Sequence, residues 1–214
     1  MVKQARAART RQALIRAAAE AFAHDGYARA SLPAISGRAG VSAGALHFHF
    51  PSKDALAREI EGAAACSVRE LAECAGSAES GAAGTLVAAI RRLVTALAAD
   101  PVVRAGFVLS ADPARGDGTA VLDTWHDWVR DTARQAHEAG ELRAGVSPEG
   151  VATVVVAATV GFERLGGPGR DPESEERMLE FWTCLLPRLT AAAPARMAGE
   201  PVAVRGAGNS MAGL

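Results

Sequence analysis

Apolar residues recur at helical spacing along most of the chain, and short segments rich in glycine, proline, serine and aspartate separate these stretches. Strand signals are nearly absent, since aromatic residues make up only 5% of the sequence and alanine and leucine dominate the periodic stretches. The pattern therefore predicts an all-α protein. The predicted helices cover residues 6–24, 32–39, 43–48, 53–74, 85–100, 101–111, 119–139, 148–165 and 172–189.

The second and third predicted helices are short and lie close together in the sequence. Ser31 and Ser42 are their predicted N-caps, because a serine hydroxyl accepts a hydrogen bond from the first helical turn. Gly40 lies between the helices, where a positive φ costs little only for glycine. A small residue, a glycine turn and an apolar residue at this spacing are typical of a helix-turn-helix. Ala43 and Gly44 are small, so the start of the second helix can approach a major groove or its phosphates closely. Together with Ser31 and Ser42, they are the expected DNA contacts of this motif.

Charge is unevenly distributed along the chain. Residues 1–60 hold nine lysines and arginines against four acids, a net charge of +5, whereas the rest holds fourteen against twenty, a net charge of −6. A basic end on an acidic body indicates that this end meets a polyanion, with an ordinary solvated surface as the alternative. The expected phosphate contacts in the first helix, each of which would add to the salt dependence of binding, are Arg6, Arg9, Arg11 and Arg16.

Two histidines flank a phenylalanine in the segment GVSAGALHFHFPSKDAL, residues 40–56. Positions i and i+2 point about 200° apart on a helix, so His47 and His49 cannot bind one metal ion there. A DNA contact for His47, and packing or a phosphate contact for His49, are favoured over satisfied structural histidines. Lys53 is unfavourable at a helix start because the helix dipole is positive there. A nearby phosphate would explain it, with a solvated surface lysine as the alternative.

Residues 6–56 resemble the N-terminal domain of TetR-type transcriptional regulators. The resemblance rests on an arginine-rich first helix with ALIRAAAEAFAHDGYARASLPAIS, followed by AGVSAGALHFHFPSKDAL. It implies that the third helix reads the DNA groove. It also implies an aromatic-His-Phe segment and then a lysine that opens the next helix, here Phe48, His49, Phe50 and Lys53. The family usually has a tyrosine, often bonded to a phosphate, where this chain has His47; a histidine can also donate to a phosphate, but the contact is then pH-sensitive.

Residues 85–190 contain none of the common nucleotide-binding, metalloprotease or serine-hydrolase motifs. Their most distinctive segment is TWHDWVRD, in which Trp125 and Trp128 share a helix face at i, i+3. These tryptophans predict a pocket for a flat, apolar ligand with one or two polar groups, or else they belong to the core. The weaker candidates for lining that pocket are Phe107, Leu109, Val155, Thr159 and Phe162.

The same half resembles the γ-butyrolactone receptor branch of the TetR family. The segments GEL and SPEGVATVVVAATVGFE, together with LHFHFPSK, carry this resemblance. It implies that an amphiphilic signalling molecule binds beside a tryptophan and releases the protein from DNA; a γ-butyrolactone, a butenolide, a furan or an antibiotic would fit. It also implies that the last two helices form a four-helix dimer interface, with burial inside one subunit as the alternative.

The sequence predicts no signal peptide, membrane anchor, metal site or cofactor. The longest uncharged apolar run, residues 151–162, has 12 residues and is too short to span a bilayer. Cys66, Cys74 and Cys184 form no C-x-x-C pair, which favours a reduced cytoplasmic protein whose cysteines are small buried hydrophobes.

The combined hypothesis is a homodimeric repressor without enzymatic activity. Residues 1–55 would bind a palindromic operator in double-stranded DNA, residues 56–190 would bind a small-molecule effector and the partner subunit, and residues 191–214 would be disordered. The main alternative is a ligand-independent DNA-binding regulator with both tryptophans in the core. A small helical enzyme that uses His126 or His137 is the other alternative, although helical phase separates both histidines from any plausible nucleophile.

Overall fold

The computed structural model describes residues 2–76, 81–115, 120–165 and 172–191 of the 214-residue chain. Within these ranges the regular secondary structure is helical, apart from an isolated antiparallel bridge between Leu142 and Thr190. The all-α prediction is confirmed, and residues 192–214 of the predicted tail lie outside the described residues. The helices are α1 (Val2–Arg29), α2 (Leu32–Arg38), α3 (Ala43–His49), α4 (Lys53–Gly76), α5 (Ala82–Ala99), α6 (Pro101–Ser110), α7 (Ala120–Glu138), α8 (Pro148–Leu165) and α9 (Pro172–Leu189), with a 3₁₀ turn at Pro113–Arg115 after α6.

Local capping chemistry sets the boundaries of the N-terminal helices. Gly26, with φ +76°, kinks the chain where the first helix was predicted to end, but one more helical turn follows it. The predicted caps of α2 and α3 are confirmed. The Ser31 hydroxyl accepts from the amide of Ala34 at 3.3 Å, and the Ser42 hydroxyl accepts from the amide of Ala45 at 3.2 Å.

The core consists of two clusters of buried apolar side chains. The N-terminal cluster joins α1, α2, α3, the start of α4 and part of α6, and the second cluster joins the rest of α4 with α5 to α9. Along α4 the change from one cluster to the other falls between Ile60 and Ala64. The domain boundary at residue 55 stays a prediction, and α4 belongs physically to both halves.

Helix α6 connects the two clusters. Ala105 and Leu109 lie in the N-terminal cluster, whereas Val103 and Phe107 lie in the second one. Residues two apart point to opposite sides of a helix, so α6 buries both sides at once. Helix α6 therefore packs closely against both clusters.

Helix α5 is apolar because it lies in the core of the second cluster. By length and composition alone it could cross a membrane. Its residues Leu86, Ile90 and Leu93 are buried, however, and the helix packs against α4, α7 and α9. Burial within the bundle accounts for its composition.

The prediction that the cysteines are small buried hydrophobes is wrong. Cys66 and Cys74 on α4 and Cys184 on α9 are all exposed. On α4 the neighbouring alanines, Ala65 and Ala75, occupy the core side of the helix instead. The position of each residue around the helix, and not the apolar character of the thiol, decides whether it is buried or exposed.

Candidate DNA interface and effector site

The start of α3 forms an exposed surface on a rigid support. Ser42, Ala43 and Gly44 are exposed, whereas Leu46 on the same helix is only 1% exposed and anchors it in the N-terminal cluster. Gly40 has φ +67° in the turn from α2, as predicted for a helix-turn-helix. The helix N-terminus, with its unsatisfied amides and positive dipole end, is therefore presented to solvent.

No contact among the described residues requires a glycine at position 44. It lies in the first turn of α3 without a positive φ, and a Cβ built there would meet nothing closer than the Ser42 hydroxyl at 4.0 Å. Glycine in a helix costs roughly 0.5–1 kcal/mol relative to alanine. The position therefore leaves room for a close approach by an external surface.

The end of α3 presents two aromatic rings to solvent and one to the protein. His47 is exposed and Phe48 is 82% exposed, whereas Phe50 is buried in the N-terminal cluster. His49 is half-buried between its neighbours, with ring centroids 5.2 Å from Phe48 and 6.5 Å from Phe50. The sequence predicted an outward role for His47 and missed Phe48. Helical phase could have indicated that Phe48 is exposed. It lies two residues from the buried Leu46, and residues two apart point to opposite sides of a helix.

Within the described ranges, no three histidine, cysteine, aspartate or glutamate side chains converge on a possible metal position. His47 and His49 in particular point away from each other on one helical turn, as their spacing requires. The exposed face of α3 therefore offers small residues, a histidine and a phenylalanine, which are groups suited to contacts with bases, sugars and phosphates.

Lys53 has partners inside the protein that the sequence did not indicate. Its ammonium group donates to the carbonyl oxygens of Tyr27, Ala28 and Ala30 at 2.8, 3.4 and 3.1 Å, and it lies 4.4 Å from the centroid of the Tyr27 ring. The lysine thus satisfies carbonyl groups at the end of α1, where a cation is favourable. Since this explains a lysine at the start of α4 without a phosphate, we leave Lys53 out of the proposed DNA interface.

The four arginines of α1 that the sequence predicted as phosphate contacts divide into two pairs. Arg11 lies 2.7 Å from the carboxylate of Glu59, and Arg16 lies 3.4 Å from the carboxylate four residues further on. Arg6 and Arg9 are exposed and have no carboxylate within ion-pair distance in the part of the chain that the structure describes. Arg6 and Arg9 are therefore the better candidates for phosphate contacts.

Trp125 and Trp128 form a stacked pair on α7. Their ring centroids are 5.5 Å apart and their planes differ by 10°. Trp125 is fully buried in the second cluster, and Trp128 is half-buried beside it. The indole Nε1 of Trp125 is buried and has no hydrogen-bond partner among the described residues. Such a donor costs roughly 1–3 kcal/mol to leave unpaired, so an acceptor from outside the described residues would bind favourably there.

Four of the five weaker pocket candidates lie with the tryptophans. Phe107 and Val155 belong to the same cluster, Phe162 packs against it, and Thr159 is buried one turn after Val155 and donates to its carbonyl oxygen at 2.8 Å. Leu109 does not line this region, because it lies on the other side of α6 in the N-terminal cluster. The prediction for Leu109 is corrected accordingly.

The sequence missed Ser110, which follows Phe107 by three residues on α6. Its hydroxyl is buried and has no hydrogen-bond partner within the described ranges. The i, i+3 spacing puts it on the side of α6 that faces the second cluster. Ser110 and Trp125 are thus two unpaired polar groups in an otherwise apolar part of the molecule.

An open groove of about 590 Å³ lies elsewhere, between α4 and α5. It contains none of the predicted pocket residues. Its lining consists of Leu71, Ala88, Arg91, Arg92, Thr95, Ala96 and Ala99. The groove is separate from the tryptophan pair, so we assign it no part in the effector site.

Helix α8 buries one side and exposes the other. Val151 and Val155 are fully buried, whereas Val154 is 39% exposed and Ala157 is also exposed. Leu165, at the end of the helix, is 84% exposed. The apolar run at residues 151–162 is therefore only partly buried within one subunit, and the exposed apolar side is available to a partner.

The helix-turn-helix presents its second helix to solvent and is joined through α4 and α6 to a separate helical cluster. This arrangement is typical of a DNA-binding transcriptional regulator. Residues 14–60 match the family of bacterial regulatory proteins called the tetR family. Over 194 residues the chain is 32% identical to the A-factor receptor protein of Streptomyces griseus, with 88% of this chain and 67% of that protein covered. The chain belongs to the tetR family.

Solved structures of related proteins share this fold along most of the chain. A γ-butyrolactone receptor, described as an ArpA-like protein, matches with a TM-score of 0.77 and 26% identity over 90% of this chain and 94% of its own. The TetR family protein CprB from Streptomyces coelicolor, in complex with its biological operator sequence, matches with a TM-score of 0.71 and 28% identity over 86% and 90% of the two chains. The predicted membership of the TetR family and the resemblance to γ-butyrolactone receptors are confirmed.

Proposed function

We propose that this protein is a repressor that binds a palindromic operator as a homodimer and leaves the DNA when a small amphiphilic molecule binds beside Trp125. The buried, unpaired Nε1 of Trp125 carries the effector part of this proposal. The similarity to the A-factor receptor protein and to a γ-butyrolactone receptor supports a γ-butyrolactone as the class of effector. The family is regulatory, which favours a cytoplasmic DNA-binding role without enzymatic activity.

On the DNA side, the exposed start of α3 enters the major groove. Ser42, Ala43 and Gly44 let the backbone approach closely, and His47 and Phe48 face the same exterior. An imidazole can donate to a phosphate, and a phenylalanine can contact a thymine methyl group. Phosphates further along the duplex are contacted by Arg6 and Arg9 of α1 and by the exposed Ser31 at the start of α2.

On the effector side, the geometry restricts the chemistry of the ligand. An indole N–H is only a donor, so the ligand offers an acceptor to Trp125, such as a lactone carbonyl oxygen. The Ser110 hydroxyl can donate to a second polar atom or accept from it. Trp128, Phe107, Val155 and Phe162 supply apolar surface for the remainder of the molecule, with the buried Thr159 beside them.

The exposed apolar side of α8 supports a homodimer. Val154 and Ala157 lie on this side, and a Cβ built at Gly161 would meet nothing within 4 Å, so a partner helix can approach α8 closely. Two copies related by a twofold axis would present their α3 helices to successive major grooves, about one turn of duplex apart. A palindromic operator follows from that symmetry.

The ligand-independent regulator remains the second candidate, because Trp125 is completely buried without any ligand. The substitution Trp125→Phe separates the two. It removes the N–H and keeps an aromatic ring, so a regulator without an effector would bind operator equally well in the presence and absence of any compound. Any cavity left in the core is matched by the control. Trp182→Phe is the matched control, since Trp182 is another tryptophan buried in the same cluster.

The test is a gel-retardation titration with DNA from the region upstream of the gene for this protein. Retarded complexes are titrated with synthetic γ-butyrolactones and with an organic extract of the source culture. We expect wild type and Trp182→Phe to be released, and Trp125→Phe to need about tenfold more effector, the equivalent of one hydrogen bond of about 1.4 kcal/mol. Unchanged release of Trp125→Phe would refute the contact, and DNA binding that no compound disturbs would favour the ligand-independent regulator.

A further inference from the structure

A buried cation lies where the two halves of the molecule meet. Arg115 ends the 3₁₀ turn after α6, and its side chain is only 3% exposed. Its Nη1 lies 2.8 Å from Oε1 of Glu61, and its Nη2 donates to Oδ1 of Asp54 at 3.2 Å. The guanidinium carbon lies 4.9 Å from the centroid of the Tyr27 ring. We call Arg115, Glu61, Asp54 and Tyr27 the junction cluster; it joins the end of α6 to α4 and α1.

A contribution to stability alone does not explain the buried ion pair of the junction cluster. The side chain of Glu61 is 5% exposed, and burial raises the pKa of this carboxyl, an effect that Arg115 offsets in part. The Glu61 oxygen and Arg115 Nη1 are within ion-pair distance but are not aligned as a hydrogen bond, and Arg115 Nε has no acceptor among the described residues. Replacing a buried ion pair by apolar residues is often neutral or stabilising. A role in fixing the relative position of helices accounts for the pair better than stability does.

A contact path connects the tryptophan pair to this cluster. Val121 is buried on α7 one turn before Trp125. Gly106 of α6 lies between Val121 and Ala64 of α4: a Cβ at position 106 would collide with the Ala64 side chain and lie 3.2 Å from Val121 Cγ2. Because these three helices touch without free space, a displacement of α7 has to displace α6 against α4. Arg115 lies just beyond the end of α6 and holds Glu61, one turn before Ala64 on α4.

We propose that Arg115 is a positioning residue that couples effector binding at α7 to the orientation of the DNA-binding half, through its contacts with Glu61 and Asp54. The inference rests on the proposed function, since it takes α7 as the effector helix. The junction cluster ties the end of α6 to α4, so that α4 follows α6 when the effector displaces α7. Helix α4 follows α3 after a short turn, so a change in the angle of α4 alters the spacing of the two α3 helices in a dimer.

The informative variant is the double substitution Glu61→Gln/Arg115→Met. Arg115→Met alone would leave the buried Glu61 charge without a partner and could prevent folding. The double variant removes both charges, and Asp54 keeps its ion pair with Arg58. The control is Arg134→Met on α7, where an exposed arginine pairs with Asp131 at 3.2 Å.

The first readout is the coupling ratio, defined as the operator dissociation constant with a saturating effector divided by the value without it. The probe is a synthetic γ-butyrolactone carrying an acyl chain, and binding is followed by fluorescence anisotropy of labelled operator. We expect the double variant to bind operator alone and probe alone within about threefold of wild type, while the coupling ratio falls about tenfold. Arg134→Met keeps the wild-type ratio. A folded double variant with the wild-type ratio would overturn the proposal.

The second readout needs no effector. Operator binding is expected to slow amide hydrogen exchange in α7, residues 120–138, in wild type and in Arg134→Met but not in the double variant. If the probe fails to release wild type while this difference in α7 is present, the proposed effector class is wrong and the coupling role of Arg115 stands. If α7 is protected equally in wild type and in the double variant, or in neither, the coupling role is refuted.

Discussion

Replacing Gly44 by alanine separates the requirements of folding from those of DNA binding. In the free protein the added methyl group meets open space, since its nearest neighbour is the Ser42 hydroxyl at 4.0 Å. Alanine is favoured over glycine in a helix by roughly 0.5–1 kcal/mol. Gly44 is the second residue of α3, where the helix is least regular, so we expect the lower value. The free energy of unfolding should therefore rise by about 0.5 kcal/mol.

The same methyl group should weaken operator binding. If the start of α3 approaches the groove as closely as its small residues allow, one extra carbon overpacks the interface and costs about 1–3 kcal/mol, roughly a 5- to 150-fold loss of affinity. Urea denaturation gives the stability and fluorescence anisotropy with labelled operator gives the affinity. Gly62→Ala is the matched control, because Gly62 is an exposed glycine of α4 with open space around it.

We expect Gly62→Ala to gain stability and to keep its operator affinity. A Gly44→Ala protein that is stabilised and still binds operator as wild type does would refute the placement of α3. A Gly44→Ala protein that loses stability would instead contradict the open space around this position. The two measurements together therefore test the interface and the structure behind it separately.

Three further predictions concern other parts of the molecule. Lys53→Met should lower the free energy of unfolding by about 2 kcal/mol, because three carbonyl groups lose a charged donor, and it should leave the salt dependence of operator binding unchanged. Arg9→Ala, in contrast, should reduce the slope of log affinity against log salt by about 0.9; a similar reduction for Lys53→Met would restore it as a phosphate contact. Val154→Asp should convert the dimer to monomers in sedimentation velocity, since it puts a charge on the exposed apolar side of α8. A Val154→Asp protein that stays dimeric at micromolar concentration would move the interface to another surface.

Features that depend on neighbouring residues could be predicted from the sequence. The caps at Ser31 and Ser42 act within three residues, and Gly40 adopts its positive φ in a turn of a few residues. Helical phase puts Leu46 inward and Gly44, two residues earlier, outward. These local rules were sufficient for the all-α fold and for the exposed start of α3.

Features that depend on contacts between distant segments could not be predicted. The carbonyl partners of Lys53 lie 23 to 26 residues away, and Arg115 pairs with Asp54 across 61 residues. The periodicity of apolar residues gives no information about contacts between residues that are this far apart in the sequence. Leu109 was misplaced for a related reason: an apolar residue on a helix that is buried on both sides gives no indication of which cluster it joins.

The role of Trp125 could not be predicted from the sequence for a third reason, which concerns its unpaired indole N–H. The sequence indicated that two tryptophans share a helix face, but it could not distinguish a ligand site from a core. The absence of an acceptor near Nε1 among the described residues supports a ligand site. The observation is three-dimensional, because an acceptor could have come from any helix of the second cluster.

In the proposed mechanism, effector and operator compete through the conformation of one protein. Coupling of this kind is reciprocal, so the effector must bind less tightly to the operator complex than to the free protein, by the same factor that it weakens operator binding. The most direct test is to measure the dissociation constant of a releasing γ-butyrolactone, by quenching of tryptophan fluorescence, with and without saturating operator. We predict a weaker effector affinity on DNA by a factor equal to the loss of operator affinity in its presence. An effector affinity that operator leaves unchanged would contradict the account.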